Sequence, residues 1–251
     1  MTRDHASRSM IAAAFAAALL STTASYAAEK VPAAIAAAVA DAGRSEAEKA
    51  RDENRKPGET IAFAGVKPGM IVAELGPSQG YYTKMLAKAV GPKGKVYALV
   101  APANAARPNG MDGINAVAAA NPNVTIMIGE FAAINLPEKA DLFWTTENYH
   151  DYHNGPTANI PGLNKAVFNN LKAGGIYYVE DHSAAPDAPA DVTNTLHRMN
   201  EAVAKKELTE AGFKIDAEGK VLQNATDDRT KKMNEAGNFK TDRFMLRAKR
   251  P

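Results

Sequence analysis

Short apolar runs alternate with helix-length segments along the chain from about Val66 onward. A parallel sheet that is buried on both faces needs uninterrupted apolar strands of this kind, and each crossover between parallel strands needs a helix. The alternation therefore predicts an α/β fold built on a mostly parallel sheet. The predicted strands are Ile71–Glu74, Lys95–Val100, Val124–Ile128, Ala140–Thr145, Ile176–Glu180, Phe213–Leu222 and Arg243–Ala248.

Helices are predicted between these strands and ahead of them. The longest, Val192–Ala211, is followed by Gly212, which is typical of a helix C-terminus. It would contain His197 as a surface or packing residue. Two helices, Val31–Ala40 and Ser45–Asn54, come first, and Ser45 is a typical N-cap residue. The others are predicted at Glu59–Ala64, Tyr82–Val90, Gly113–Ala120 and Leu163–Leu171.

The N-terminus has the pattern of an export signal. Arg3 and Arg8 precede the apolar run Ile11–Leu20, and small residues lead to a predicted cleavage site after Ala27. The run is too short to span a membrane. It also lacks the polar face that an amphipathic N-terminal helix, the alternative, would need. We therefore expect a signal peptide over residues 1–27 and a periplasmic or secreted mature protein that does not bind a membrane.

The composition of the chain limits the kinds of partner that it is expected to bind. Of 251 residues, 45% are hydrophobic and 23% are charged, and the formal net charge is +2. No basic block interleaved with aromatic residues is present, so we expect no nucleic-acid partner. The chain has no cysteine, which excludes disulfide bonds and attachment of a lipid to an N-terminal cysteine. We expect a small-molecule substrate, and the sequence leaves the oligomeric state open.

The segment Met70–Thr83 predicts a ligand site. A short buried strand ends in Glu74, turns through Gly76 and Gly80 and enters a helix whose free N–H groups face the turn. Glycines at such a turn let the backbone approach a ligand closely. The spacing differs from the G-x-G-x-x-G of dinucleotide-binding domains. A nucleotide-like ligand is indicated, and an ordinary strand-to-helix turn is the alternative.

This turn resembles the first motif of class I S-adenosylmethionine-dependent methyltransferases, E/D-x-G-x-G-x-G. Glu74, Gly76 and Gly80 match the motif, and Ser78 replaces its central glycine. The resemblance implies that S-adenosylmethionine is the cofactor. It places Glu74 near the methionine end and the glycine turn against the nucleoside. Of the two tyrosines that follow, we expect Tyr81 to face the ligand and the second to pack beneath the helix.

Four further segments resemble the same family and occur in the family's order. The resemblance extends from about Arg51 to the C-terminus. Together, the segments look like those of a group of exported, predicted methyltransferases. It implies a Rossmann-like, seven-stranded methyltransferase sheet over residues 61–251, mostly parallel, with a C-terminal antiparallel hairpin and helices on both faces. Residues 28–60 would form an N-terminal helical segment. The four segments are Phe63–Gly69, Glu147–Asp151, Leu171–Val179 and Ala211–Phe213.

Three positions bear on how the cofactor would be held. Family members commonly carry an acid at the end of the second strand for the ribose hydroxyls, but here that strand leads to Asn104. The missing charge-assisted hydrogen bond is worth about 1.5–3 kcal/mol, and Asn104 would supply a weaker one. The resemblance places Glu130 near the adenine amino group. Asn148 lies in a segment similar to the Asn-Pro-Pro-Tyr loop of amino-methylating enzymes; the prolines are absent, so we expect Asn148 at the cofactor without inferring a nitrogen acceptor.

Histidines and carboxylates follow two predicted strands, the fourth and the fifth. The carboxyl ends of neighbouring parallel strands meet at one edge of a sheet, where ligands bind. In one hypothesis a histidine acts as general base, oriented by Asp151 or Asp181. In a second, the group binds a divalent metal that holds the acceptor, and in a third it only orders the loops. The candidate residues are His150, His153, Asp181 and His182.

The leading hypothesis is an exported enzyme that transfers a methyl group from S-adenosylmethionine to an unknown small acceptor. Holding the acceptor in line with the sulfonium would supply most of the catalysis. A catalytically degenerate periplasmic binding protein on the same fold is the first alternative, favoured by Ser78 and by the absent ribose carboxylate. Metal-dependent hydrolysis at the histidines is the second alternative.

Overall fold

The computed structural model describes residues 31–235 and 240–251, together with the two-residue strand Ala24–Ser25. The predicted signal peptide covers residues 1–27. Apart from Ala24 and Ser25, it lies outside the described residues. None of the described helices combines the length and the apolar character that crossing a bilayer requires.

The described strands form one sheet. They are β1 (Ala24–Ser25), β2 (Ile71–Leu75), β3 (Lys95–Val100), β4 (Val124–Ile128), β5 (Ala140–Thr146), β6 (Leu171–His182), β7 (Lys214–Gly219) and β8 (Arg243–Lys249). Their order is β1-β7-β8-β6-β5-β2-β3-β4. β8 is antiparallel to β6 and β7, and the other pairs are parallel. Apart from the short β1, this is the predicted seven-stranded sheet with its antiparallel hairpin, so the predicted fold is confirmed.

The centre of the sheet is the point where its connections diverge. β2 lies between β3 and β5; β3 and β4 extend to one side, and β5 and β6 extend to the other. Such a divergence leaves a crevice outside the carboxyl ends of the central strands, where ligands bind in open α/β sheets. β2 suits this central place because Val72 and Ala73, which point to opposite faces, are both fully buried.

Helices cover both faces of the sheet, as predicted. One hydrophobic cluster includes Val72, Met85 and the core residue Trp144, and the other includes Ala73 and Val167. The α-helices are α1 (Ala33–Val39), α2 (Glu46–Lys49), α3 (Asp52–Arg55), α4 (Pro57–Ala64), α5 (Tyr81–Val90), α6 (Pro102–Ala105), α7 (Asp112–Ala120), α8 (Ile160–Asn170), α9 (Val192–Thr195) and α10 (Glu201–Glu210). Within the described residues, 3₁₀ turns span Phe131–Ala133 and His150–His153.

The N-terminal helices pack against α5. Ile35 and Ala38 of α1 belong to the first hydrophobic cluster. Lys84 Nζ lies 2.9 Å from Glu48 Oε1, which adds an ion pair to this packing. Ser45 caps α2 as expected, in a reciprocal pair of hydrogen bonds with Glu48. The predicted helix Ser45–Asn54 is nevertheless interrupted, because α2 ends at Lys49 before α3 begins.

The predicted long helix Val192–Ala211 is wrong. It forms the two helices α9 and α10, and His197 between them has a left-handed backbone with φ of +51°. Tertiary contacts outweigh helix propensity here. The guanidinium of Arg198 is fully buried and donates to the carbonyl of Ser183 at 2.9 Å and to the carboxylate of Asp227 at 2.7 Å. The break moves His197 out of a helix and beside the histidines that follow β5.

Candidate functional site

A cavity of about 1220 Å³ opens at the carboxyl edge of the sheet. Its walls are formed by the segments that follow β2, β3, β4 and β5, by α3 and by the residues between α9 and α10. The crevice expected at the centre of the sheet is therefore present. Of the predicted cofactor-binding residues, the ones that line it are Glu74, Gly76, Ser78, Tyr81, Glu130 and Asn148.

The turn after β2 adopts a left-handed backbone at Gly76 and again two residues later at Ser78. Gly76 has a φ of +63° and Ser78 a φ of +52°. A β-carbon on Gly76 would lie 2.6 Å from Asn148 Nδ2 and 2.8 Å from the Tyr152 hydroxyl, so this position requires glycine. Ser78 holds the conformation that glycine adopts more easily, and its side chain borders the cavity.

Gly80 does not contribute to the cavity wall, contrary to the sequence prediction. A β-carbon there would lie 2.7 Å from Val117 Cγ2 and 3.6 Å from Ile114 Cδ1 on α7. The glycine therefore allows α7 to pack closely against the start of α5. Its φ of +85° is the second reason for glycine at this position.

Glu74 is a buried carboxyl group at the cavity wall. Thr83 Oγ1 donates a hydrogen bond to it at 2.5 Å. Burial raises the pKa of Glu74 to about 7, and the hydrogen bond from Thr83 only partly opposes this effect. The carboxylate thus occupies a site that favours a positively charged ligand group, because such a group stabilises its ionised form.

Asn148 connects the segment after β5 to the turn after β2. Its Nδ2 lies 3.1 Å from the carbonyl oxygen of Leu75 and 3.3 Å from that of Gly76, and its Oδ1 accepts a hydrogen bond from Thr145 Oγ1. Both ends of the amide are therefore fixed. Asn148 lines the cavity as predicted, and it also holds the turn in position.

Tyr81 carries contacts that the sequence did not reveal. Its hydroxyl donates to Asp52 Oδ1 at 2.6 Å, and the guanidinium carbons of Arg51 and Arg55 lie 4.7 and 5.0 Å from the centre of its ring. Both arginines border the cavity. Tyr82 packs on Trp144 with ring centres 4.9 Å apart, as expected, although it also borders the cavity. The pattern of 45–54 indicated only a charged amphipathic helix.

A buried ion network supports the wall behind these arginines. Arg243 Nη1 lies 2.6 Å from Glu147 Oε1 and 3.0 Å from Glu180 Oε1, and Arg55 pairs with the other oxygen of Glu147. Burial raises the pKa of Glu180. Glu147 has a φ of +54°, a conformation that costs a non-glycine residue free energy and persists only when its surroundings impose it. The network is the restraint here.

His150 and Asp181 form the predicted oriented pair. Asp181 accepts hydrogen bonds from the backbone N–H of His150 at 2.7 Å, from its Nδ1 at 2.8 Å and from the N–H of His182 at 2.8 Å. Burial lowers the pKa of His150, but Asp181 and Asp151 outweigh burial and raise it to about 10. His150 lines the cavity, whereas Asp181 lies behind it. The two carboxylates therefore favour the protonated form of the imidazole, which cannot take a proton from an acceptor.

His153 and His182 do not join the cavity. His153 Nε2 lies 2.9 Å from Glu207 Oε1, and its Nδ1 lies 3.0 Å from the carbonyl oxygen of Tyr149. His182 is fully buried with Nδ1 2.6 Å from Thr241 Oγ1, and burial lowers its pKa to about 3. The four predicted catalytic residues therefore do not converge, either as a base or as a set of metal ligands.

A different group meets at the cavity. Asp151 Oδ1 lies 3.3 Å from His150 Nε2 and 3.4 Å from His197 Nδ1. All three side chains line the cavity. The sequence pattern predicts Asp151 only as a partner of the histidines and predicts His197 inside a helix. No local signal could have found this group, because it depends on the break between α9 and α10.

Solved structures with similar folds include a methyltransferase, a possible exported protein and a cyclase. A SAM dependent methyltransferase from Aquifex aeolicus is 17% identical with a TM-score of 0.54, over 79% of this chain and 97% of its own. A possible exported protein from Bordetella parapertussis is 16% identical with a TM-score of 0.51, over 81% of this chain and 67% of its own. The cyclase SpnF is 13% identical with a TM-score of 0.59, over 84% of each chain.

The chain has the class I methyltransferase fold. The order of its strands and these neighbours agree on this point. No family model matches the chain, and no curated protein matches it. Because likeness at such low identity establishes the fold alone, and because one neighbour is a cyclase, the reaction has to be inferred from the site.

Proposed function

We propose that this protein binds S-adenosylmethionine in the cavity and transfers its methyl group to a small acceptor. The observation that carries the proposal is the buried carboxyl group of Glu74 beside the left-handed turn at Gly76 and Ser78. The methionine part of the cofactor has an ammonium group. Placed at Glu74, it would stabilise the ionised carboxylate and form charge-assisted hydrogen bonds.

The remaining cavity residues fit the other parts of the cofactor. Asn104 follows β3 and Glu130 follows β4, and both are exposed at the cavity wall. Asn104 would bind a ribose hydroxyl and Glu130 the adenine amino group, as the family resemblance implies. The backbone of Gly76, which lines the cavity, would lie against the nucleoside.

The contribution of the protein to the reaction is positioning. The cofactor supplies a methyl group on a positively charged sulfur, which becomes a neutral thioether as the acceptor's lone pair takes the methyl carbon. Asn148, fixed at both ends, and His150, held by Asp181, border the space where the acceptor would lie. Correct placement alone supplies a large part of such a rate enhancement.

Export of the protein is part of the proposal. Its support is the signal-like pattern of residues 1–27 and the similarity of fold to a possible exported protein. Fractionation of producing cells, with N-terminal sequencing of the mature protein, tests it. A mature N-terminus close to residue 28 in the periplasm or medium is expected. An intact N-terminus in the cytoplasm would contradict export.

A binding protein that has lost transfer is the second candidate. The specific observation in its favour is the end of β3, where Val100 and Ala101 occupy the place at which the family commonly carries a ribose-binding acid. Asn104 provides the polar side chain nearest in sequence on that wall. Such a protein would bind the cofactor without consuming it.

Two measurements separate these functions. Calorimetry with S-adenosylmethionine and S-adenosylhomocysteine tests binding, and failure of both ligands to bind at millimolar concentration would refute the proposal. Incubation with methyl-labelled cofactor and a small-molecule extract of the periplasm then tests transfer. Label in an extract compound together with released S-adenosylhomocysteine supports the enzyme, whereas binding without release supports the second candidate. Mass spectrometry of ligands that co-purify with the protein would identify the acceptor.

A further inference from the structure

We infer that His150, Asp151 and His197 form a binding site for a divalent transition-metal ion at the cavity wall. The three side chains come from two separate segments: the 3₁₀ turn after β5, and the residues between α9 and α10. One ligand atom from each residue lies within 4.8 Å of the others. This set of ligands differs from the predicted set. The predicted set included His153 and His182, which bond Glu207 and Thr241 instead.

The distances within the group match a coordination sphere. Asp151 Oδ1 is 3.3 Å from His150 Nε2 and 3.4 Å from His197 Nδ1. Two ligand atoms that each lie about 2.1 Å from an ion, at angles of about 90–110°, are separated by about 3.0–3.4 Å. The third pair of ligand atoms, on His150 and His197, lies within 4.8 Å, so rotation of these side chains would bring all three atoms to one ion. Two imidazoles and a carboxylate suit zinc, iron or another first-row divalent ion.

A second, independent observation is the orientation of His150. Its Nδ1 is bonded to the fully buried carboxylate of Asp181 at 2.8 Å, so its Nε2 is directed at Asp151. A carboxylate bonded to the distal nitrogen of a metal-binding histidine is a recurrent arrangement that fixes the ring and increases its basicity. Asp181 would have this role. Its own oxygens are occupied by three hydrogen bonds and do not reach the cavity.

The site is accessible and is held in place. The side chains of His197 and Asp151 are 46% and 52% exposed, and they face the cavity. Arg198, buried beside them, anchors the segment that carries His197. The coordination positions not filled by protein would face the cavity and take water or an oxygen of a small molecule.

Metal titration tests this site without reference to the cofactor. Full-length protein without a histidine tag is stripped with a chelator, dialysed and titrated with Zn²⁺ by calorimetry and with Co²⁺ by visible absorption. Two variants, His197→Ala and Asp151→Asn, alter exposed side chains, so circular dichroism should show an unchanged fold. His153→Gln is the matched control, because this histidine lies in the same turn and bonds Glu207 instead.

We expect one ion per chain in the wild type and in the His153→Gln control. Each of the two site variants should bind it at least about tenfold more weakly, the smallest loss usual when even an outer partner of a metal ligand is removed. The assignment would be overturned if the wild type bound no metal at millimolar concentration. Equal metal affinity in the site variants and the wild type, or loss of metal binding in the control alone, would also overturn it. S-adenosylmethionine binding is measured on the stripped protein, so failure of that proposal is seen separately.

Discussion

The side-chain amide of Asn148 lies 2.6 Å from the point where a β-carbon on Gly76 would stand. Any side chain at position 76 therefore displaces the residue that holds the turn. We expect Gly76→Ala to weaken S-adenosylmethionine binding by at least about tenfold, or about 1.4 kcal/mol. Calorimetry measures this change.

Gly174 provides the matched control for this substitution. It also has a left-handed backbone, with a φ of +77°, but a β-carbon there meets no atom within 4 Å. Gly174→Ala should therefore destabilise the fold by about 1–2 kcal/mol through backbone strain alone and leave ligand affinity unchanged. Equal affinities in the two variants would show that the turn after β2 does not contact the ligand.

The buried carboxyl group of Glu74 makes the stability of the protein depend on pH. Its pKa rises from 4.5 to about 7 on folding. The stability that it contributes is fully present below pH about 4.5 and is lost as the pH rises through about 7. We expect the free energy of unfolding of Glu74→Gln, relative to the wild type, to increase by about 3 kcal/mol between those limits. Denaturant titrations at pH 4.5 and pH 8 measure the difference, and a constant difference would contradict it.

The same variant should bind the cofactor more weakly. Glutamine keeps the shape of the side chain and can accept the hydrogen bond from Thr83. The substitution removes the negative charge that an ammonium group would meet. A hydrogen bond to a charged group is worth about 1.5–3 kcal/mol. Calorimetry at pH 8 should show a loss of at least about tenfold. Unchanged affinity would place the ammonium group elsewhere.

Arg243 compensates two buried carboxylates, Glu147 and Glu180. Arg243→Met should lower the free energy of unfolding by about 3–5 kcal/mol, because it leaves Glu180 buried without its partner and leaves Glu147 paired with Arg55 alone. Lys49→Met is the control: its ion pair with Glu46 is exposed and worth about 0–1 kcal/mol. Urea unfolding of both variants checks the contrast, and similar losses would show that the buried network is not stabilising.

His153 separates a role in folding from a role in catalysis. Because it bonds Glu207 and does not line the cavity, His153→Gln should change S-adenosylmethionine affinity less than about twofold, under 0.5 kcal/mol. It should remove part of the hydrogen bonding that holds the turn after β5, which thermal unfolding would report. A large loss of affinity at unchanged melting temperature would return His153 to the site.

Local pattern was sufficient for the sheet and for the location of the cavity. β2 and the turn after it follow from an apolar run, an acid and two glycines, and these signals lie within a few residues of one another. The same pattern could not distinguish the two glycines. Whether a β-carbon meets Asn148 at Gly76 or Val117 at Gly80 depends on contacts with residues far along the chain.

The group of His150, Asp151 and His197 shows more clearly what local sequence patterns could not predict. The pairing of His150 with Asp181 could be predicted because they lie at the carboxyl ends of the neighbouring strands β5 and β6. The sequence of 192–211 favours one helix, but the burial of Arg198 breaks it and brings His197 to Asp151. Arg51 and Arg55 were also missed, because a charged helix face usually lies in solvent.

One feature links distant parts of the chain. Glu147 receives Arg55 from the third helix and Arg243 from the last strand, so three regions separated by about a hundred residues meet in a single wall. During synthesis that wall is incomplete until the final strand has emerged and paired. Ligand capture should therefore begin only after β8 has paired with its neighbours, and a chain that still lacks this strand would be unable to bind.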